Sequence, residues 1–292
     1  MKNRNVLNSP RLLELKRRRT RAFFSRTFFY FLGLAVVLAL AVYLSRLPGI
    51  NIETVEVEGA SIVEGENIKA VAQEKISGKY LWLIPKTNVL FYPKEKIVEA
   101  LTSQYKRLGE INLSIKNNRV LVVAVTEHQP LYTWCGVDLS VILEDTEKPH
   151  KCYFLDKDGY VFDEAPYFSG DVYFKFYGLQ GVNPENPTGS YFAQEYFQNL
   201  ISFKQGLETL ALEPITFYLK EDGDAELYLS GTKNPKPKIF IRTDSDMENL
   251  TGNLEAALRT EPLKTRMEKE YAKLEYLDLR FDNKVYSKFI TP

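Results

Sequence analysis

Apolar residues run unbroken from Phe28 to Leu44, and Thr27 and Ser45 extend the uncharged stretch to 19 residues. A helix of that length reaches about 28 Å, close to the ~30 Å hydrocarbon core of a bilayer. Pro48-Gly49 breaks it, and the pattern then changes period. Val55 and Val57 alternate with Glu56 and Glu58, which predicts a short strand within 52–58. Ile68, Val71, Ala72 and Ile76 form one helical stripe that Gly78 stops. Tyr80 to Ile84 reads as extended and ends at Pro85. Pro93 opens a second helix in its favoured first-turn position, with Ile97, Val98, Leu101, Tyr105 and Leu108 facing inward. Two strands follow, 111–115 and 120–127, with Asn117-Asn118 supplying positive φ angles for the turn between them. The second is apolar on both faces, which suits a central strand and leaves its register open.

The rest of the chain mixes both periods. Residues 152–163 read as a β-hairpin around Asp158-Gly159, and 172–177 as a strand. A long amphipathic helix is predicted over 190–210, with Phe192, Tyr196, Leu200, Phe203, Leu207 and Leu210 on one face. Short strands follow at 215–219, 225–229 and 239–241. Ser245 and Glu248 have the spacing of a capping box, opening a helix with Met247, Leu250, Leu254 and Leu258 inward. Pro262 interrupts it, and a second helical stretch reaches about residue 273. A strand over 275–281 follows. Asp282-Asn283 then turns the chain into 284–290, which extends the sheet edge. The fold class is α+β: a transmembrane helix, a small strand–helix–helix–strand–strand domain, and a mixed domain with a largely antiparallel sheet ending in a C-terminal edge strand.

Charge assigns sides to the apolar helix. The chain holds 38 Lys+Arg and 38 Asp+Glu. Nine of the bases and one acid (Glu14) lie in residues 1–26, and residues 27–45 carry none, which leaves 29 basic and 37 acidic groups for the remainder. The positive-inside rule keeps the basic tail, 1–26, in the cytoplasm and sends the acidic body across as a type II single-pass protein. The tail up to Arg21 is expected to be disordered. Two alternatives are a signal peptide cleaved near Ala39-Leu40-Ala41, inside the apolar run, and a twin-arginine signal at Arg18-Arg19. A net-acidic body is not a nucleic-acid binder.

Candidate chemistry is sparse. Neither histidine, His128 or His150, has a second His or Cys at metal-ligand spacing. Nucleophile motifs and phosphate loops are absent, and Gly231-Thr232-Lys233 lacks a strand–loop–helix setting. Asp156-x-Asp158-Gly159 invites a calcium reading, but the third acid and the closing Glu are out of register, so a hairpin is favoured. Neighbouring acids such as Glu221-Asp222 or Asp278 and Asp282 arise by chance among so many carboxylates. The expectation is a chain with no cofactor, no metal and no small-molecule substrate. Cys135 and Cys152 flank a polar loop and end two strands expected to be neighbours. In an oxidising compartment they are disulfide candidates, with two unpaired buried thiols as the alternative.

Several ordered segments resemble the FtsQ/DivIB bacterial cell-division family. After the apolar helix, the strand–helix–helix–strand–strand module (50–129) resembles a POTRA domain. Its end, Leu121-x-Val123-x-Val125-x-Glu127-x-x-Pro130, continues into Leu131-Tyr132-Thr133-Trp134 as the family continues into its second domain, here 130–292. The run Leu155-Asp156 to Val161-Phe162 around Gly159 and the closing Leu277-Asp278-Leu279-Arg280-Phe281 resemble two further family signatures. His128 stands where the family has Arg and is expected at the surface. The resemblance implies a non-catalytic scaffold of the division machinery in the inner (cell) membrane at the septum. There it would recruit FtsB/FtsL (DivIC)-type coiled-coil partners and so regulate septal peptidoglycan synthesis. Recruitment would use β-augmentation, in which a free sheet edge pairs with a partner strand. Carried over, the docking positions are Arg280, Phe281, Asn283 and Lys284, although the following Lys284-Val285-Tyr286-Ser287-Lys288 does not closely copy the family. Either edge of the POTRA-like sheet would offer a second contact. Other readings are a POTRA-containing export factor, which would repeat the module or carry a barrel, and an anchored wall enzyme, which would need a catalytic cleft.

Overall fold

The first helix, α1, spans Pro10–Ser45. In this computed structural model, residues 10–139, 151–168, 172–231, 236–281 and 283–290 are described, with side chains from residue 19 onward except 22. The helix therefore begins well before the apolar run and crosses the basic cluster expected to be disordered. Leu, Lys, Arg and Glu are good helix formers, and Pro10 takes the first helical position that proline tolerates. Residues 19–45 form the one helix among the described residues that is long and apolar enough to cross a membrane, and none of its most apolar window is buried in the protein.

The chain forms two compact units, residues 1–104 with 110–126, and residues 105–109 with 127–292. The first unit continues through a single helical turn, Pro48–Ile50. Strand β1 (Thr54–Glu58), helix α2 (Gly65–Ile76), a two-residue pair β2 (Lys79–Tyr80) and β3 (Ile84–Pro85), helix α3 (Lys94–Gln104), β4 (Leu108–Lys116) and β5 (Val120–Glu127) follow. The sheet order is β1-β5-β4, with β1 parallel to β5 in the register Thr54↔Val120 to Glu58↔Ala124. The doubly apolar strand is thus the central one, and Leu121, Val122, Val123 and Val125 are buried. Ile68, Val71, Ala72, Ile97 and Leu101 cover it from the helices. Asn117 and Asn118 take φ of 53° and 56° at the β4–β5 turn. Gly59 at φ 84° leaves β1 so close to Val125 that a Cβ would lie 2.2 Å from its carbonyl oxygen.

Two expectations fail in this unit. Helix α3 stops at Gln104, so Leu108 belongs to β4, where it is still buried. Residues 80–84 are not a single extended run but a tight hairpin turned at Leu81 (φ 46°) and Trp82 (φ 65°). Bulky L-residues enter that left-handed region at a cost of about 1–2 kcal/mol each, so no Gly, Asn or Asp marked the turn.

The second unit contains β6 (Tyr132–Trp134), β7 (Cys152–Leu155), β8 (Val161–Ala165), β9 (Phe174–Tyr177), α4 (Phe197–Thr209), β10 (Pro214–Leu219), β11 (Asp224–Leu229), β12 (Lys238–Arg242), α5 (Met247–Leu258), α6 (Leu263–Glu270), β13 (Leu274–Phe281) and β14 (Lys284–Phe289). They form one sheet in the order β14-β13-β12-β11-β10-β9-β6-β7-β8. It is mixed: β10–β11, β11–β12, β13–β14, β6–β7 and β7–β8 are antiparallel, and β9–β10, β12–β13 and β6–β9 are parallel pairs. The parallel pairs β9–β10 and β12–β13 follow from the helices. A strand–helix–strand crossover returns the chain in the same direction, whereas a tight turn reverses it. Phe197, Leu200, Phe203 and Leu207 of α4 and Met247 and Leu254 of α5 pack into the core with Phe176, Phe217, Leu227, Ile239 and Leu277.

Helix α4 starts seven residues later than predicted. Tyr191 instead bridges to Tyr160, and Ala193 takes φ 49°. Phe192 is nevertheless fully buried, so it kept its place in the apolar pattern without being helical. The N-cap of α5 is Asp246, not Ser245, and its carboxylate accepts from the Glu248 and Asn249 amides. The Asp-Gly hairpin is closed by Asp156, whose Oδ1 accepts from the Asp158 and Tyr160 amides at 2.8 and 2.9 Å. Its Oδ2 lies 2.7 Å from His128 Nδ1. A carboxylate only accepts, so Nδ1 carries the proton. His128 is half-buried rather than the exposed residue expected. Its ring lies against Tyr160 and Phe162. Burial alone would raise the Asp156 pKa, but the His128 and backbone hydrogen bonds outweigh it and hold the pKa below its ordinary value.

Candidate partner-docking edge

Strand β14 ends the nine-stranded sheet, and no strand among the described residues pairs with its outer side. Phe289 is buried beneath the Arg266 guanidinium, 3.9 Å from its ring, and the Ile290 amide donates to the Lys273 carbonyl at 2.8 Å. The strand is thus held at its far end, while Lys284, Tyr286, Ser287 and Lys288 stay exposed. The opposite edge, β8, is less open. Val161 exchanges hydrogen bonds with Ser190 and Gly189, which cover its start.

Arg280, Phe281, Asn283 and Lys284 come together where β13 turns into β14. The register moves from Asp278↔Tyr286 to Phe281↔Lys284, so β13 holds one extra residue, a bulge at 279–280. Asp278 fills it. Its Oδ1 accepts from the Arg280 amide at 3.1 Å and from Nε at 2.9 Å, and its Oδ2 accepts from an Arg280 terminal nitrogen at 2.6 Å. The other terminal nitrogen of Arg280 reaches Asp224 Oδ2 on β11 at 2.6 Å, and the guanidinium lies 4.9 Å from the Phe240 ring on β12. Burial pushes the Asp278 carboxyl up, and the Arg280 hydrogen bonds and charge overcome it and leave the pKa lowered. The two carboxylates raise the guanidinium pKa. Arg280 is therefore clasped by Asp278 across the bulge and tied to β11 through Asp224.

Phe281 faces outward at 52% exposure, not into the core, and meets Tyr286 edge-to-face with centroids 5.2 Å apart. Asn283 takes φ 53°, and its Oδ1 accepts from Asn253 Nδ2 of α5 at 3.4 Å. Lys284 is exposed opposite Phe281. Tyr286 and Ile290, at 49% and 45% exposure, belong to the same surface although neither was singled out in the sequence. Their alternation with Val285 and Phe289 was the available signal. The chain matches no protein-family model and no curated protein. The edge offers a row of backbone donors and acceptors beside an exposed aromatic pair, with Lys284 on one side of that pair and Lys288, already paired with Glu275, on the other. That surface suits an extended segment carrying apolar and acidic side chains.

Away from the edge, Cys135 and Cys152 sit opposite each other just beyond the paired Trp134 and Tyr153, with Cα atoms 4.1 Å apart and sulfurs bonded at 2.02 Å. Glu226 is buried among Lys220, Lys238 and Tyr228, which neutralise it and satisfy its oxygens. Asp222 caps the Asp224 amide. His150, residues 232–233 of the Gly-Thr-Lys run, and Asp282 lie outside the described residues.

Proposed function

We propose that the chain is a non-catalytic membrane scaffold of the FtsQ/DivIB kind. Helix α1 is retained as a single-pass anchor with its basic end cytoplasmic. The first unit acts as the POTRA domain, and the second captures FtsB/FtsL (DivIC)-type partners at the septum. The β1-β5-β4 sheet under two helices supports the POTRA reading. The observation that carries the partner reading is the outer side of β14, which no strand among the described residues pairs, beside exposed Phe281 and Tyr286. An incoming strand would satisfy the outer backbone groups of β14, and the aromatic pair would supply apolar anchor area. Arg280 shapes this surface rather than touching the partner, since both its carboxylate partners belong to the chain itself.

Pull-down of FtsB/FtsL-type partners with the full chain tests this. Phe281→Lys should weaken capture at least about tenfold while leaving the protein folded. Unchanged capture by that variant removes this edge as the docking site. In dividing cells, a fluorescent fusion that forms no mid-cell focus would remove the divisome assignment itself.

A further inference from the structure

The most exposed large apolar side chains of the first unit beyond α1 are Trp82 (91%), Leu81 (86%) and Leu90 (76%). Leu83 and Phe91 are exposed beside them. They crown the β2–β3 hairpin and the short loop after it. This is an unusual place for bulky residues in water, more so with left-handed backbone at Leu81 and Trp82.

The hairpin is tied to the end of α1. Arg46 donates from Nε and a terminal nitrogen to the Leu83 carbonyl at 3.2 and 3.0 Å. Asn88, itself buried, donates to the Ser45 carbonyl at 3.0 Å, and so does Asn51. Ser45 is the last residue of the uncharged run and Arg46 the first charge after it. The hairpin is therefore held at the end of the apolar run. Lys79 and Lys86 bracket the tip, with the Lys86 ammonium 5.9 Å from the Tyr80 ring centroid. Trp, Tyr and lysines with apolar stems are the residues that settle at a membrane–water boundary.

We infer that Leu81-Trp82-Leu83, with Leu90 and Phe91, is a membrane-interface wedge. It inserts among the lipid headgroups of the leaflet where α1 emerges and gives the first unit a second hold on the bilayer. This rests on α1 being a retained span. Its occupant is lipid, because the hairpin and the loop after it are bonded to Arg46 and Ser45 at the end of that span.

The chain has two tryptophans, Trp82 and the buried Trp134, so the difference in emission between wild type and Trp82→Phe isolates the tip. The full chain is reconstituted into phosphatidylcholine vesicles brominated at defined acyl depths. The difference signal should be quenched most by shallow bromines, about 5–10 Å into the headgroup and acyl boundary, at every protein-to-lipid ratio. A chain that resists carbonate extraction yet shows an unquenched difference signal overturns the wedge and leaves the anchor intact. Tip shielding that grows with protein density assigns the patch to a second copy and also overturns the wedge. Release by carbonate overturns the anchor, and the wedge with it.

Discussion

Replacing Arg280 by Met asks whether this side chain is a structural clamp or a partner contact. The variant keeps the aliphatic bulk and removes two hydrogen bonds to Asp278 and one to Asp224. Exposed ion pairs contribute about 0–1 kcal/mol, whereas breaking a buried pair costs about 3–5 kcal/mol. The Asp278 side chain is 9% exposed, Asp224 22% and Arg280 32%, so the site lies between these limits. A loss of about 2 kcal/mol is expected, or about 4–8 °C in the melting of a unit this size. Urea unfolding of the full chain in detergent, followed by Trp134 emission in a Trp82→Phe background, reads it. Asp278→Asn should be sub-additive with Arg280→Met by about 1–2 kcal/mol. The pH dependence has a definite sign. The folded Asp278 pKa is below its ordinary 3.8, so its contribution is complete above that pH and is lost as pH falls beneath it. Arg280→Met should flatten this acid limb. A variant within about 0.5 kcal/mol of wild type refutes the clamp. If it also lost partner binding, Arg280 would belong to the interface.

Phe281→Lys should weaken partner capture at least about tenfold, a change of ~1.4 kcal/mol in binding free energy, without moving the unfolding midpoint. Equal losses of binding and stability would make Phe281 a folding residue instead. Cys135→Ser should cost about 3 kcal/mol, from the loop its disulfide closes, and reductant should reproduce the loss in wild type but not in the variant. Gly59→Ala should destabilise the first unit by about 2 kcal/mol or more, since it combines a positive φ with a Cβ driven into the Val125 carbonyl. Amide hydrogen exchange of β1 and β5 would report it, and unchanged protection there would refute the close approach.

Much of the fold could be read from periodicity. The stripes Ile68/Val71/Ala72 and Leu200/Phe203/Leu207 are buried as the pattern required. The doubly apolar 120–127 segment is the central strand. Errors arose where a local pattern is compatible with several backbones. Phe192 and Tyr196 fit the spacing of α4, yet one lies in a loop and the other at the helix start. Ser245 and Asp246 were both eligible caps, and only the folded turn selected Asp246. His128 gave no hint of burial because its partner Asp156 is 28 residues away.

The docking edge shows the same division. Turn chemistry at Asn283 and the alternation of 284–290 announced a final hairpin. The exposure of Phe281 and the engagement of Arg280 could not be read there. Both depend on the bulge at 279–280 and on Asp224, which lies 56 residues away in sequence.

By itself the sequence determined the long apolar helix, the alternating and striped segments and the charge asymmetry across that helix, because each depends on neighbours within a few turns of the chain. Only the tertiary structure decided which strand is left at the sheet's rim, which ions face each other, and that Trp82 stands beside the end of α1. Those outcomes depend on crossovers and hydrogen bonds between distant segments, which local periodicity does not encode.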